Sequence, residues 1–251
     1  MTTYLFFDIE TVVNEDFFYK TASEKQKEKK ETENDFFMPS IYHVPVALSC
    51  LYAGSDKKPR FVSYSNPNIS NLGILESKFF ENLNLIMDCN KKYYEKDKKG
   101  KNFKDIHPIL VSHNGHNFDL PILTLRAMNN HEKLPEGAKE GLKEYLNDSD
   151  TWEKSRANYT NKYSKFNIDT YKIFNSNLKA ICELFGIEAK TEMDGSKVRD
   201  YYAEEKYHEI AKYCAEDVLA LSRVFNKYLI AKGENSLNLP SSIEECEIKL
   251  L

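Results

Sequence analysis

The sequence contains no C-x-x-C pair, no run of 18 apolar residues and no excess of positive charge. Each absence excludes a class. Without closely spaced pairs, Cys50, Cys89, Cys182, Cys214 and Cys246 form an odd, scattered set. They read as reduced thiols of an intracellular protein, not as a disulfide or zinc framework. Without a long apolar run there is no signal for a membrane-crossing helix. The N-terminus meets Asp8 after only seven residues, unlike a secretory leader. A soluble, cytoplasmic protein with no membrane partner is expected. With 35 basic against 39 acidic residues and a net charge of −4, the chain is not one that coats nucleic acid by bulk charge, although a local basic patch stays open.

What is present suits one domain over residues 1–251, with 41% of residues apolar or aromatic to form its core. Tyr4 to Phe7 is a short apolar run that predicts a buried strand. Residues 19–37 are a polar insertion, with five lysines and five acids over 19–35. His43–Tyr52 and Arg60–Tyr64 read as a strand pair. Leu75, Phe79, Leu83 and Ile86 mark an amphipathic helix. Residues 91–104 hold seven lysines interleaved with Tyr93, Tyr94 and Phe103; they are either phosphate contacts or a solvated linker. A strand at Ile109–Ser112, a helix after Asp119, a short helix around Ala138–Leu146 within a hydrophilic surface excursion, and a strand at Phe166–Tyr171 follow. A capped helix over Ser176–Gly186 and a long helix to about Ile230 complete the order. The tail from Gly233 reads as loosely packed. The pattern predicts an α/β fold, a mixed sheet flanked by helices.

Three acidic stretches carry the chemistry. Asp8 and Glu10 are two apart at the end of the first strand and point to one side. Like charges there repel unless a cation sits between them. Asp119 opens a helix, where it serves as a cap or as something more. Tyr213 and Asp217 are four apart on the long helix, neighbours beside the apolar stripe Ile210, Cys214, Val218, Leu221 and Phe225. Alone, that pair reads more readily as an interhelical ion pair or a cap than as a catalytic pair. His113 and His116 read as local hydrogen-bonding groups rather than metal ligands, and Asp169 as structural.

Together, Asp8-Ile-Glu10, Asn114-Gly-His-Asn-Phe118-Asp119 and Tyr213-Cys-Ala-Glu-Asp217 resemble, in order, the three motifs of the DEDDy 3′–5′ exonucleases. The likeness extends to stand-alone exonucleases related to the proofreading domain of family B DNA polymerases, including Ser176-Asn-Leu-Lys-Ala and the Asp194-Gly195-Ser196 loop. It covers roughly residues 3–230. The resemblance implies a ribonuclease H-like fold, a five-stranded mixed sheet with helices on both faces and the second strand antiparallel to the rest. It also implies a two-metal site of Asp8, Glu10, Asp119 and Asp217 holding Mg²⁺ or Mn²⁺, with Tyr213 orienting the attacking water. Thr11, Asn114 and Phe118 match substrate-binding positions. The implied activity is release of nucleoside 5′-monophosphates from the 3′ end of single-stranded DNA. RNA as substrate, or a non-catalytic replisome adaptor, are the competing readings. No polymerase portion follows, so a polymerase or repair partner in trans is expected for any proofreading role.

Overall fold

The computed structural model describes residues 2–33, 36–69, 73–96, 106–147, 157–188 and 193–251, without the side chains of 93–96. The candidate phosphate contacts at Tyr93, Tyr94 and Phe103 lie outside these described side chains. The first strand, β1 (Thr3–Val13), is longer than its apolar run. An insertion follows with two short helices, α1 (Glu15–Thr21) and α2 (Glu24–Thr32). No α2 side chain is buried; α2 is held by local devices. Ser23 and Gln26 form a reciprocal capping box, and Lys30 bonds back to Glu15 at 3.0 Å.

Strands β2 (His43–Gly54) and β3 (Arg60–Ser65) come next, then α3 (Ile74–Lys96), β4 (Ile109–Ser112), α4 (Asp119–Asn129) and α5 (Glu136–Tyr145). Strand β5 (Asn167–Asp169) leads directly into α6 (Thr170–Phe174). Helices α7 (Leu178–Phe185), α8 (Val198–Ala203) and α9 (Tyr207–Ala231) follow, and β6 (Glu247–Leu250) ends the chain. The stop after α7 is Gly186 in the left-handed region at φ 62°, a conformation glycine adopts at no steric cost.

Among the described residues, six strands form one mixed sheet in the order β5-β4-β1-β2-β3-β6. β1 and β3 are each antiparallel to β2, while β4 and β6 run parallel to β1 and β3 respectively, and β5 parallel to β4. Five strands in this order, with β2 alone reversed, are the ribonuclease H-like arrangement. The sheet therefore has one strand more than the five expected. The tail supplies it, so it is not loosely packed. Leu237 is buried, Asn238 donates its backbone N–H to the Gly54 carbonyl at 3.0 Å, and Leu251 donates to Ser65 at 2.9 Å. The tail's abundance of glutamate hides a short period-2 pattern, Glu-Ile-Lys-Leu, that suits an edge strand.

Alternation along β1 sorts the two faces. Leu5, Phe7 and Ile9 join a core with α3, α4 and α5. Tyr4 and Phe6 join the other core, where their rings lie 5.4 and 5.7 Å from that of Phe225 on α9. Phe6 and Phe7 are fully buried on opposite faces. Each such burial stabilises by about 1.5–3 kcal/mol, so both layers depend on this one strand. The hydrophilic region 131–165 is not wholly a surface excursion: Leu134, Ala138, Leu142, Tyr145, Ala157 and Tyr159 are buried in the first core. Average polarity masked a helical stripe. A Cβ at Gly141 would collide with the Phe80 carbonyl, which explains how α5 lies so close to α3. Among the described residues, no helix is long and apolar enough to cross a membrane.

Candidate active site

Asp8 and Glu10 continue, along β1, the same face that carries Tyr4 and Phe6. The strand enters the site at its C-terminal end, where ligands bind in parallel α/β sheets. Asp8 pairs with Ser49 and Glu10 with Ala47, but Thr11 pairs with Pro45, so Val46 is an extra residue in β2. A proline has no N–H to give the ladder, and a bulge is where a sheet tolerates one.

Helix α9 packs over this face. The residues of its predicted stripe, Ile210, Cys214, Val218, Leu221 and Phe225, are all buried. Two buried serines pin the helix to the sheet. The Ser63 hydroxyl donates to the Ala211 carbonyl at 2.7 Å and accepts from Ser49 at 2.7 Å. One turn on, the Cys214 thiol donates to the Asp8 carbonyl at 3.3 Å and stands 3.7 Å from its Oδ2. Tyr213 donates its hydroxyl to Asp217, as four-residue spacing allows. The Asp194-Gly195-Ser196 loop closes over this tyrosine; a Cβ at Gly195 would lie 3.7 Å from the Tyr213 hydroxyl.

Asp119 does not cap α4. The cap position is Phe118, and Asp119 is the first helical residue. Its Oδ1 instead accepts the backbone N–H of Ile9 at 3.1 Å. The loop before it is shaped by Asp169, which caps α6 and accepts backbone N–H groups from Asn114 at 2.7 Å, His116 at 3.2 Å and Tyr171 at 3.0 Å. Asn114 sits at φ 65°, in a region that asparagine visits more readily than most residues. A Cβ at Gly115 would collide with the Ser112 side chain.

Three elements, β1, α4 and α9, thus bring Asp8, Glu10, Asp119, Asp217 and Tyr213 together. Oxygens of Asp8 and Glu10 and the sulfur of Cys214 lie within 4.8 Å of one another. Burial, and after it the charges of Asp119, Glu10 and Asp217, hold the Asp8 carboxyl well above the usual carboxylate range. Burial with Asp217 and Asp119 does the same to Glu10. Burial pushes Asp119 up to about 7, against the backbone N–H groups that it accepts. Burial raises Asp217 to about 6, opposed by the Tyr213 hydroxyl. The Tyr213 phenol is itself held above its ordinary range by burial and by Asp217, Glu10 and Asp8.

Among the described residues, no lysine or arginine forms an ion pair with any of the four carboxylates. Buried like charges without a counterion are unfavourable, so the donor set fits a bound cation. The four carboxylates offer hard oxygen ligands of the kind Mg²⁺ and Mn²⁺ prefer. The Cys214 thiol, its pKa raised by burial, is a protonated donor rather than a ligand for such ions.

The other anticipated residues take definite places. The His43 Nε2–H donates to the Met38 carbonyl at 3.1 Å, which leaves Nδ1 to accept the Thr11 hydroxyl at 2.8 Å. The Phe118 ring lies edge-on to His43 at 4.9 Å, and the Asn114 side chain accepts from Asn117 at 2.9 Å. His113 and His116 hydrogen-bond not within their own loop, as expected, but across to Thr170 at 2.9 Å and Lys172 at 2.5 Å, 57 and 56 residues further along the chain. His43, Ser49 and Ser63 carry no expected role, and Cys214 only that of a member of the apolar stripe. The signal for the serines was two hydroxyls inside otherwise apolar strands. His43 carried none, because Thr11 and Phe118, the partners that tie it to the acidic motifs, are distant in sequence.

An α/β sheet with an acidic cluster at its strand ends is the class that fold and geometry define. Residues 91–247 match the family described as a predicted 3′–5′ exonuclease related to the exonuclease domain of PolB. The match takes in more than half of the sequence, and the chain belongs to this family. The matched span holds Asp119, Tyr213 and Asp217; Asp8 and Glu10 precede it. Among solved structures, the family B DNA polymerase from the hyperthermophilic archaeon Pyrobaculum calidifontis is similar, with a TM-score of 0.49 and 16% identity. The likeness covers 92% of this chain and 25% of the polymerase, so the chain spans about a quarter of that protein's length. No curated protein sequence matches.

Proposed function

We propose that this chain is a metal-dependent 3′–5′ exonuclease that removes nucleoside 5′-monophosphates from the 3′ end of single-stranded DNA. The observation that carries the reading is the convergence of Asp8, Glu10, Asp119 and Asp217 with a tyrosine hydrogen-bonded to the last of them. DNA is favoured over RNA because the family is related to the exonuclease domain of a DNA polymerase. The same relation makes a replication or repair polymerase the fitting partner class.

Asp8, Glu10, Asp119 and Asp217 would hold two divalent ions, Mg²⁺ or Mn²⁺. When bound, such ions supply an acidified water for attack and neutralise charge on the phosphate and the leaving oxygen. Tyr213 stays protonated at neutral pH, since its pKa is raised. Its one proton is given to Asp217, so it would orient the attacking water by accepting a hydrogen bond from it and would not act as the base. Its bond to Asp217 fixes its direction, and the Gly195 loop shields it. Thr11, Asn114 and Phe118, which belong to the same sequence motifs as the carboxylates, would hold the terminal nucleotide.

The deciding experiment follows single-stranded DNA and RNA labelled at either end, with Mn²⁺ or EDTA, using wild type and Asp217→Ala. A 3′ label should appear at once as mononucleotide, and a 5′ label as a descending ladder. Degradation that persists in Asp217→Ala or in EDTA would sink the mechanism, and a reversed label pattern would sink the polarity.

A further inference from the structure

One aromatic ring beside the site takes no part in the proposed reaction. Phe37, in the segment joining α2 to β2, is 69% exposed. Yet the ring is firmly placed. It stacks on His43 with centroids 5.2 Å apart and planes 26° from parallel, and it lies 5.4 Å from Phe118. Both neighbours lead directly to the carboxylates. Phe118 precedes Asp119 in the chain, and the His43 ring accepts the hydroxyl of Thr11, the residue after Glu10. His43 is further fixed through the Met38 carbonyl and by Arg126, which donates to the His43 carbonyl at 2.7 Å. The insertion that delivers Phe37 has a small core of its own, Phe18, Ala22, Met38 and Tyr42. A rigidly backed aromatic face, open to solvent beside a phosphate-hydrolysing site, has the form of a base-stacking platform.

We infer that Phe37, backed by His43, stacks on the nucleobase nearest the scissile phosphate and so positions the 3′ end of the strand. This rests on the exonuclease reading of the same site. Every base presents a π-face, so the contact would be tolerant of sequence. It would assign the polar insertion a task that its composition conceals: its helices and small core carry one ring to the edge of the site.

The test compares wild type, Phe37→Ala and Phe37→Tyr on single-stranded DNA with Mn²⁺. Phe37→Ala should raise KM roughly tenfold, the order of one lost base stack, with kcat within about twofold; Phe37→Tyr should keep the wild-type KM. On an oligonucleotide whose last two residues are abasic, wild type and Phe37→Ala should be equal. A second arm uses Phe37→Trp with Trp152→Phe, since Trp152 is the single tryptophan; a phosphorothioate-linked oligothymidylate that resists hydrolysis should quench its fluorescence saturably. An unchanged KM in Phe37→Ala, an equal penalty on the abasic strand, or no quenching would overturn the inference while leaving the nuclease reading intact. If wild type hydrolyses no nucleic acid, the nuclease reading fails, and the quenching arm alone then decides for or against stacking at Phe37.

Discussion

Asp119 accepts the N–H of the peptide that lies between the two acidic residues of β1: its Oδ1 stands 3.1 Å from the nitrogen of Ile9. The carboxylate of one motif is thereby measured against the backbone of another.

That bond separates two effects of substitution. Asp119→Asn retains an acceptor for Ile9 but loses the charge; stability in EDTA should change by less than about 1 kcal/mol, while turnover falls by at least about 100-fold. Asp119→Ala also strands the Ile9 N–H and should cost a further ~1–3 kcal/mol. Thermal denaturation in EDTA, read beside single-turnover rates, distinguishes the two.

The raised carboxyl pKa values set the pH dependence of the metal-free protein. Asp119 at about 7 and Asp217 at about 6 both lie above the unfolded value near ~3.9. Their contribution to stability is thus fully present below pH ~4 and lost as pH rises through 6 and 7. The melting temperature in EDTA should fall between pH 5 and 8, and Mn²⁺ or Mg²⁺ should restore it more at pH 8 than at pH 5. Asp8→Asn, which removes one repelling charge, should melt higher than wild type in EDTA and be inactive. A wild-type curve that rises with pH in EDTA would contradict the shared-cation reading.

Tyr213→Phe deletes the hydroxyl that meets Asp217 and leaves the ring packed against the small core that includes Val12, Val44 and Val46. Folding and metal-induced stabilisation should persist, with kcat reduced about 10- to 100-fold. Equal rates for the two proteins would make Tyr213 a packing residue.

Asp169 touches none of the four carboxylates by hydrogen bond, yet its loss should reach them. Asp169→Ala leaves the N–H groups of Asn114, His116 and Tyr171 unpartnered, destabilising by on the order of 3 kcal/mol and loosening the loop before Asp119. Activity should fall even at temperatures where circular dichroism reports a folded protein. Wild-type kcat with a lowered melting temperature would confine Asp169 to stability.

Periodicity made much of this architecture legible. β1, the β2–β3 pair, α3 and α9 repeat apolar residues at the spacing of their elements, and the stripe from Ile210 to Phe225 is buried as read. Three carboxylate motifs were legible as a group because of their order and spacing, although only Asp119 sits at an element boundary; Asp8 and Glu10 lie within β1 and Asp217 within α9. What escaped was whatever depended on tertiary partners. The edge strand β6 is four residues long and rich in charge, and its pairing to β3 is not encoded locally. The helix α5 hid its buried face among lysines and glutamates. The hydroxyls of Ser49 and Ser63 and the ring of His43 take their meaning from residues up to 148 positions away.

The alternation of β1 also bears on how faithfully the site is built. A one-residue slip of this strand would exchange its faces, turning Asp8 and Glu10 toward α3 and α4 and driving Phe7 against α9. Register errors that would misplace the carboxylates are therefore the errors that the two cores reject most strongly. Assembly of the acidic cluster needs no safeguard of its own, because a chain that packs at all has already set its carboxylates in order.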